Sequence, residues 1–286
     1  MEGTLDTLGP LDARQFRIVV RRLADSLSYG TDRSPFLGSG IEYVQSRPYM
    51  PGDPVRAIDW RVTARTGRIF VKEHESPKRM PAYLLIDTSA SMTISSVPTS
   101  KYATAMFLAG GIALACLDRV SPVGVISVGS RGLRVRPSLS KSQVLEWVLR
   151  LRQFRYDETT HLTQKIGELS PSLTSRALVI VLSDLHDEGA LPALKQLAQR
   201  HDCAVLQLMD PAEENLRGAG FVRVREAETG REFITHGRRS QTDPEQTAHE
   251  LHRSGIDHLL VRTDRPYVHS VRNFFESRGL LGRRER

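Results

Sequence analysis

Three oxygen-bearing side chains alternate directly after a short apolar run in this sequence. The run is AYLLI, residues 82–86, and the segment DTSASM follows it with Asp87, Ser89 and Ser91. A short continuous apolar run is typical of a buried strand, and open α/β sheets place ligand sites in the loops after their strands. Carboxylate and hydroxyl oxygens suit hard cations such as Mg²⁺, so the spacing predicts a divalent-metal site. The structural alternative is that the serines cap the following helix.

Two further oxygen donors follow elements that we expect beside the first strand. Thr160 precedes a predicted helix, and Asp184 follows the apolar run ALVIVLS. Asp87 and Asp184 placed about 4 Å apart would repel by roughly 4 kcal/mol at an effective dielectric constant near 20, and a cation between them removes that repulsion. We therefore expect Mg²⁺ or Mn²⁺ here. With few carboxylates around it, the ion would keep an open position for an acidic residue of a partner protein.

The elements that would position these residues follow an alternating pattern. From about residue 80, short apolar runs alternate with amphipathic stretches, which predicts an α/β fold with helices on both faces of a doubly wound, mostly parallel sheet. The expected strands are 82–86, 123–128, 177–182, 203–208 and 258–261, with 133–137 pairing beside the second. The expected helices are 100–117, 143–154, 190–199, 244–253 and 268–278.

Two parts of the chain depart from this alternation. Residues 221–235 alternate apolar and polar side chains around Thr229 and Gly230, which predicts a β-hairpin inserted at about residues 211–240. The first eighty residues contain one expected helix, 13–28, and a stretch rich in glycine, proline and charge. We expect residues 1–80 to form an extension that packs on a main domain of residues 81–286.

A second dense group of residue types lies within residues 47–65. Its arginines and acids are spaced to form ion pairs, and its tryptophan offers a large apolar anchor. Two interpretations remain open: a structural cluster in which Trp60 and Arg65 are buried against the main domain, which we favour, or a partner-binding surface. The residues that define the group are Arg47, Tyr49, Gly52, Asp53, Arg56, Asp59, Trp60 and Arg65.

The strand-end residues resemble the metal-ion-dependent adhesion site of von Willebrand factor type A domains. Those domains have a Rossmann-like fold and hold Mg²⁺ or Mn²⁺ with a DxSxS motif, a later threonine and a later aspartate. Leu185 stands where those domains often carry a glycine after the aspartate. The matching positions are Asp87, Ser89, Ser91, Thr160 and Asp184.

The segment of residues 47–65 resembles the hallmark R-x-Y-x-x-G-D-x-x-R-x-I-D-W-x-x-x-A-R of a bacterial family of unknown function, numbered fifty-eight. Members of that family are commonly encoded beside MoxR-type AAA+ ATPases. The resemblance implies a non-enzymatic adaptor or co-chaperone that acts with such an ATPase on a client protein. An acidic residue of the partner would complete the metal site.

Composition narrows the other functional classes. The chain has 286 residues, a net charge of +7 and a pI of about 9.7, which would permit binding to nucleic acid. Lysine and arginine are spread along the chain, however, without a helix-turn-helix signature or interleaved aromatic and basic residues, so nucleic-acid binding is not favoured. We expect Cys116 and Cys203, both in apolar segments, to be core thiols. A signal peptide is not predicted, and the apolar run 103–117 is shorter than a bilayer span of about 20 residues, so we expect a cytoplasmic protein without membrane contact.

A metal-dependent hydrolase that uses Asp87 and Asp184 is the main alternative. His186 and Asp187 lie in SDLHDEG beside the expected metal, and a metal-activated water could attack a phosphoester. The histidine spacing matches no known hydrolase, the DTSAS loop lacks the second acid of a DxD loop, and no GxxxxGK[ST] motif occurs. We therefore predict that the protein is not an enzyme.

Overall fold

The computed structural model describes residues 2–4, 42–50, 55, 58–75, 80–118, 120–215, 221–225, 232–236 and 243–277. The helix expected over residues 13–28 and the residues Gly52, Asp53 and Arg56 lie outside the described residues. The strands within these ranges are β1 (Glu2–Thr4), β2 (Glu42–Pro48), β3 (Phe70–Glu75), β4 (Ala82–Ile86), β5 (Val123–Ser127), β6 (Arg134–Ser138), β7 (Gln153–Arg155), β8 (Leu178–Ser183), β9 (Asp202–Met209), β10 (Phe221–Arg225), β11 (Glu232–His236) and β12 (Asp257–Arg262). The helices are α1 (Trp60–Thr66), α2 (Lys101–Asp118), α3 (Lys141–Leu151), α4 (Leu162–Leu169), α5 (Ala190–Ala198), α6 (Pro211–Asn215), α7 (Pro244–Arg253) and α8 (Val268–Ser277).

A six-stranded sheet with the order β12-β9-β8-β4-β5-β6 forms the centre of the molecule. Every neighbouring pair is parallel except β5 and β6, which are antiparallel. The central strands β4, β8 and β9 are nearly continuous apolar runs, as expected for strands covered on both faces. The predicted α/β fold with a mostly parallel sheet is therefore confirmed.

Helices cover both faces of this sheet, and each face has its own apolar cluster. Leu84 and Ile86 of β4 pack in the cluster that includes α2 and α3, whereas Leu85 packs in the cluster with α4, α5 and α7. Successive side chains of a strand point to opposite faces, so one short strand contributes to both clusters. Burying each such leucine or isoleucine stabilises the fold by roughly 1.5–3 kcal/mol.

Helix α2 lies at the centre of the first cluster. It is long and apolar enough to cross a membrane by length and composition, but 89% of that window is buried inside the protein. A helix that is apolar on every side needs burial on every side, and the sheet and α3 supply it. Helix α2 is therefore a core helix of the α/β fold, and Cys116 is buried within it, as predicted.

The sheet changes its winding direction at β4. Strand β5 lies on one side of β4 and strand β8 on the other, so the connections leave β4 in opposite directions. Ligands of open α/β sheets bind in the crevice at such a switch point, outside the carboxyl ends of the strands. The backbone N–H of Asp87 donates to the carbonyl of Leu182, 2.9 Å away, so the ends of β4 and β8 are joined at this crevice.

Two elements differ from the sequence expectation or extend it. The helix expected over residues 143–154 ends at Leu151, and β7 follows it and pairs antiparallel with β1. The apolar period ran through Phe154, but its ring packs against Tyr102, with the ring centroids 5.6 Å apart. The predicted hairpin is present as β10 and β11, which pair antiparallel apart from the main sheet.

The division of the chain near residue 80 into an extension and a main domain stays a prediction.

The segment of residues 47–65 that resembles the family hallmark is called the signature segment below. Its described residues lie in a β2–α1–β3 unit in which β2 and β3 pair antiparallel. Asp59 caps α1 by accepting from the backbone N–H groups of Arg61 and Val62, at 3.1 and 3.2 Å. The hydroxyl of Ser46 in β2 donates to Asp59 Oδ2 over 2.7 Å. Asp59 is buried and ties the start of α1 to the hairpin.

The expectation that Trp60 and Arg65 are buried is wrong. Trp60 is 67% exposed, and Arg65 is also exposed. Thr63 lies on the inner side of α1, where its Oγ1 accepts from the backbone N–H of Phe70 at 3.1 Å. Arg65 lies on a different side of α1 from Thr63. Trp60 is the first residue of the helix and is exposed although it stands three residues before Thr63. The exposed tryptophan was not foreseeable from residue type, because its direction depends on which face of α1 meets the hairpin.

Candidate metal centre

The loop after β4 brings the first three predicted ligands together. Asp87 is fully buried, and its Oδ1 accepts from the backbone N–H of Ser89 at 3.0 Å. Ser91 lies in a short 3-10 helix, Ala90–Thr93, and its Oγ is 3.0 Å from Ser89 Oγ. Ser89 stands at the N-cap position of that helix but makes no side-chain cap hydrogen bond. The hydroxyls are therefore paired with each other, and the capping alternative does not describe Ser89.

Thr160 and Ser183 approach the same carboxylate from the neighbouring loops. Thr160 Oγ1 is 3.4 Å from Asp87 Oδ2, and Ser183 Oγ donates to that oxygen at 2.6 Å. Sequence reasoning missed Ser183, although its place as the last residue of β8, directly before Asp184, was a usable signal. Residues 73 and 96 positions from Asp87 thus meet at one carboxylate.

Asp184 is buried beside this cluster and is paired with a positively charged side chain. Its Oδ2 accepts from Lys101 Nζ at 2.7 Å, and His186 Nδ1 is 3.2 Å from the same oxygen. Lys101 also pairs with Glu213 of α6. From the sequence we expected a metal ion alone to supply the positive charge near Asp184. This expectation needs correction, because the Lys101 ammonium already supplies one positive charge there. The missed signal was a lone lysine at the start of an otherwise apolar helix.

The two aspartates have opposite electrostatic environments. Burial and then the charge of Asp184 raise the pKa of Asp87, and hydrogen bonds from Ser183 and Ser89 offset only part of this. Burial also opposes ionisation of Asp184, but Lys101 and His186 outweigh it and hold the pKa of Asp184 far below its ordinary value. Asp184 is therefore ionised, and Asp87 is the carboxylate whose ionised form would gain most from an added cation.

Two observations show that the donors fit a divalent ion. Asp184 Oδ1 is buried and has no hydrogen-bond partner among the described residues. The remaining oxygens near Asp87 come from hydroxyls, and hard cations take oxygen ligands while Mg²⁺ keeps several waters. Asp184, His186 and Glu213 form a second group whose ligand atoms lie within 4.8 Å of one another. The ammonium of Lys101 contacts the carboxylates of both Asp184 and Glu213, so a positive charge already lies within this group.

A second layer of contacts joins the Asp87 loop to the Thr160 loop. Thr88 Oγ1 donates to Glu158 Oε2 at 2.7 Å, and the backbone N–H of Ala90 donates to the Glu158 carbonyl at 2.7 Å. The backbone N–H of Gly129 donates to Thr88 Oγ1 at 3.0 Å. A Cβ at Gly129 would lie 2.2 Å from Glu158 Oε2 and 2.3 Å from Thr88 Oγ1, so a side chain at this position would displace the hydrogen-bonded pair of Glu158 and Thr88.

The residue after Asp184 has an unusual backbone. Leu185 has a φ of 61° and is buried, in the left-handed region that favours glycine. Its N–H donates to Ser183 Oγ at 3.0 Å.

Known proteins resemble this chain over most of its length. Uncharacterized proteins of Mycobacterium bovis and Mycobacterium tuberculosis are 25% identical over 279 residues, covering 93% of this chain and 88% of theirs. The crystal structure of the Deinococcus radiodurans RO (RSR) protein matches 71% of this chain at 18% identity, with a TM-score of 0.30, and the chain spans 43% of that protein. The sequence profile of DUF58, a family described as proteins of unknown function, matches residues 45–253. The chain therefore belongs to the DUF58 family.

Proposed function

We propose that this protein is a non-enzymatic, metal-dependent protein-binding module. Mg²⁺ or Mn²⁺ would be held at the crevice between β4 and β8 and would offer an open coordination position to an acidic residue of a partner. The ligands would be Asp87, Ser89, Ser91, Thr160 and Asp184. The observation that carries the proposal is that hydrogen bonds link Asp87, Ser89, Ser91 and Thr160 beyond the carboxyl end of β4. Asp184, which follows the adjacent strand β8, lies near enough for its charge to raise the pKa of Asp87.

The charge of the donor set supports a docking role. Asp184 is already balanced by Lys101, so a bound divalent ion would face one further carboxylate, Asp87, and neutral hydroxyls. Such an ion keeps a net positive charge, which favours an incoming carboxylate. Because Asp87 is buried, the contact would be largely desolvated, and losing one member of such a charged contact costs about 2–5 kcal/mol.

The partner class follows from the family resemblance and from charge. We propose a MoxR-type AAA+ ATPase, or the client on which it acts, as the bearer of the acidic residue, in the cytoplasm. A net charge of +7 favours an acidic partner surface and speeds its encounter at low ionic strength. The same charge makes salt dependence a necessary control.

His186 favours one second candidate, a metal-dependent hydrolase. Its Nδ1 lies 3.2 Å from Asp184 Oδ2, and an imidazole near a metal-bound water could act as a base. Incubation of the purified protein with Mn²⁺ and p-nitrophenyl phosphate tests this. We expect no turnover above the protein-free rate, and turnover that Asp87→Asn removes would favour the hydrolase instead.

The docking proposal is tested by titration and capture. We expect isothermal titration to give one saturable Mg²⁺ or Mn²⁺ site in the wild type and none in Asp87→Ala. Ser89→Ala combined with Ser91→Ala should abolish capture of the purified ATPase, and EDTA should do the same. Thr93→Ala is the matched control, since this nearby hydroxyl bonds to the Ala90 carbonyl at 2.7 Å and should be dispensable. Capture of the ATPase that survives both the double variant and EDTA would exclude the metal face.

A further inference from the structure

An apolar surface is concentrated on the signature segment rather than spread over the protein. Nine large apolar side chains are exposed in the described residues, and five of them belong to the β2–α1–β3 unit or the residues joining its elements. Single exposed apolar residues need no explanation, but a contiguous patch marks an interaction site. The five are Tyr49, Met50, Val55, Trp60 and Ile69.

Backbone hydrogen bonds hold these residues on one small unit. The N–H of Tyr49 donates to the carbonyl of Ile69 at 2.9 Å, and the N–H of Ile58 donates to the carbonyl of Val55 at 3.1 Å. The N–H of Asp59, directly before Trp60, donates to the Phe70 carbonyl at 2.7 Å. The backbones that carry Tyr49, Val55, Trp60 and Ile69 therefore belong to one hydrogen-bonded unit and not to separate loops.

The stretch from residue 60 to residue 71, WRVTARTGRIFV, carries only positively charged ionisable side chains. Arg61 and Arg65 are both exposed and lie one helical turn apart on α1, and Arg68 is exposed just beyond its end. The one acid of the helix, Asp59 at its N-cap, is buried and turned to the backbone of α1 and to Ser46. Trp60, Arg61, Ala64, Arg65, Arg68 and Ile69 form what we call the Trp60 surface.

We propose that the Trp60 surface docks an acidic segment of a partner protein, independently of the metal. Tryptophan, tyrosine and arginine are the residue types most enriched where protein interfaces concentrate their binding energy. Guanidinium groups bind carboxylates bidentately, so Arg61 and Arg65 suit acids placed one turn apart on a helix. The apolar neighbours Val55 and Ile69 are aliphatic, which suits a protein side chain better than the base stacking used by nucleic acids.

A labelled synthetic helix tests this surface directly. The probe has a leucine stripe and glutamates one turn apart, and fluorescence anisotropy measures its affinity. We expect saturable binding that falls at least about tenfold with Trp60→Ala or with Arg61→Glu combined with Arg65→Glu. Replacing the glutamates of the probe by glutamine should weaken binding similarly. In the wild type the probe should shift the emission of exposed Trp60, because the only other tryptophan, Trp147, is 3% exposed.

Matched controls separate this surface from general charge and from the metal centre. Arg150→Glu combined with Arg253→Glu changes two exposed arginines elsewhere by the same charge and should leave the affinity within about twofold. The wild-type protein in EDTA and the protein with Ser89→Ala and Ser91→Ala should both bind the probe with wild-type affinity. Failure of the metal proposal is therefore distinguishable from failure of this one. Equal loss with the control pair, unchanged affinity in Trp60→Ala, or tighter binding of a single-stranded oligonucleotide at the same residues would each overturn the proposal.

Discussion

The ammonium of Lys101 lies 2.7 Å from Oδ2 of Asp184, and each of these side chains is 1% exposed. A buried charge without its partner is costly, so this pair fixes the ionised state of Asp184 before any metal binds. The consequence is a division of roles between the two aspartates of the crevice. Asp184 has a permanent counter-ion, and Asp87 has none among the residues that the structure describes.

Removal of the lysine should make the protein depend on metal. We expect Lys101→Met to lower the free energy of unfolding in EDTA by about 3–5 kcal/mol, because Asp184 loses its buried ammonium partner and keeps only the contact with His186. Mg²⁺ or Mn²⁺ should restore part of this loss by supplying charge beside Asp184. Urea unfolding with and without metal measures both effects. Lys141→Met is the control, since its pair with Asp118 is exposed and such pairs contribute about 0–1 kcal/mol. Stability of Lys101→Met equal to that of the wild type in EDTA would show that His186 alone compensates Asp184 and would contradict this role of the ammonium.

The raised pKa of Asp87 predicts a pH dependence with a definite sign. An acid whose pKa is higher in the folded than in the unfolded protein destabilises the fold at high pH, and this penalty is lost as the pH falls through the folded-state pKa toward the unfolded value of about 4. Burial and the charge of Asp184 raise the pKa of Asp87. In EDTA, the wild type should therefore gain stability relative to Asp87→Asn as the pH falls.

Bound metal should reverse that sign. A cation beside Asp87 lowers its pKa, so with saturating Mn²⁺ the wild type should gain stability relative to Asp87→Asn as the pH rises. Urea unfolding of both proteins across the pH range, in EDTA and in Mn²⁺, measures the difference. A stability difference that is independent of pH under both conditions would show that Asp87 does not titrate as its surroundings imply.

A side chain at Gly129 should lower the stability of the protein. A methyl group there would meet Glu158 Oε2 at 2.2 Å and Thr88 Oγ1 at 2.3 Å, so we expect Gly129→Ala to destabilise the protein by about 1–3 kcal/mol. Gly167→Ala is a matched control in α4, where a methyl group meets nothing within 4 Å and should stabilise the helix by about 1 kcal/mol. Thermal unfolding of the two variants measures the contrast. Similar melting temperatures for the two variants would show that Glu158 and Thr88 can move aside at little cost and would contradict this prediction.

The two tryptophans should differ sharply in their effect on stability. Trp60 is 67% exposed and Trp147 is 3% exposed. We expect Trp60→Ala to change the free energy of unfolding by less than about 0.5 kcal/mol and Trp147→Ala to lower it by about 3–5 kcal/mol. Midpoints of urea unfolding compare the variants. A large loss in Trp60→Ala would restore the buried interpretation of the signature segment.

Local patterns in the sequence predicted much of the α/β fold. Strand β4 was expected with its observed ends, and helix α7 likewise, because apolar runs, the Asp243 cap and Pro244 at the first turn are all visible in sequence. The short strands β1 and β7 were not expected, since their pairing joins residues about 150 positions apart. Non-local pairing leaves no periodic signal in either segment.

The candidate site divides in the same way. The DxSxS spacing identified the Asp87 loop because its oxygen donors are close in sequence. Lys101, Ser183 and Glu213 escaped notice, because their contacts with Asp87 or Asp184 depend on how distant elements pack. The direction of Trp60 failed for the same reason. Residue type indicated a buried anchor, but Trp60 is 67% exposed, and residue type alone does not say which side of a helix packs on its neighbours.

The central claim concerns a metal ion with an exchangeable position that accepts a carboxylate. Water-proton relaxation of the wild-type protein titrated with Mn²⁺ reports both properties, since the signal depends on exchangeable water on the bound ion. We expect one saturable site with enhanced relaxation, and we expect acetate to reduce that enhancement without releasing the ion, while Asp87→Asn shows neither effect. Relaxation that stays at the level of free Mn²⁺, or a bound ion whose water acetate cannot displace, would contradict metal-dependent docking at this crevice.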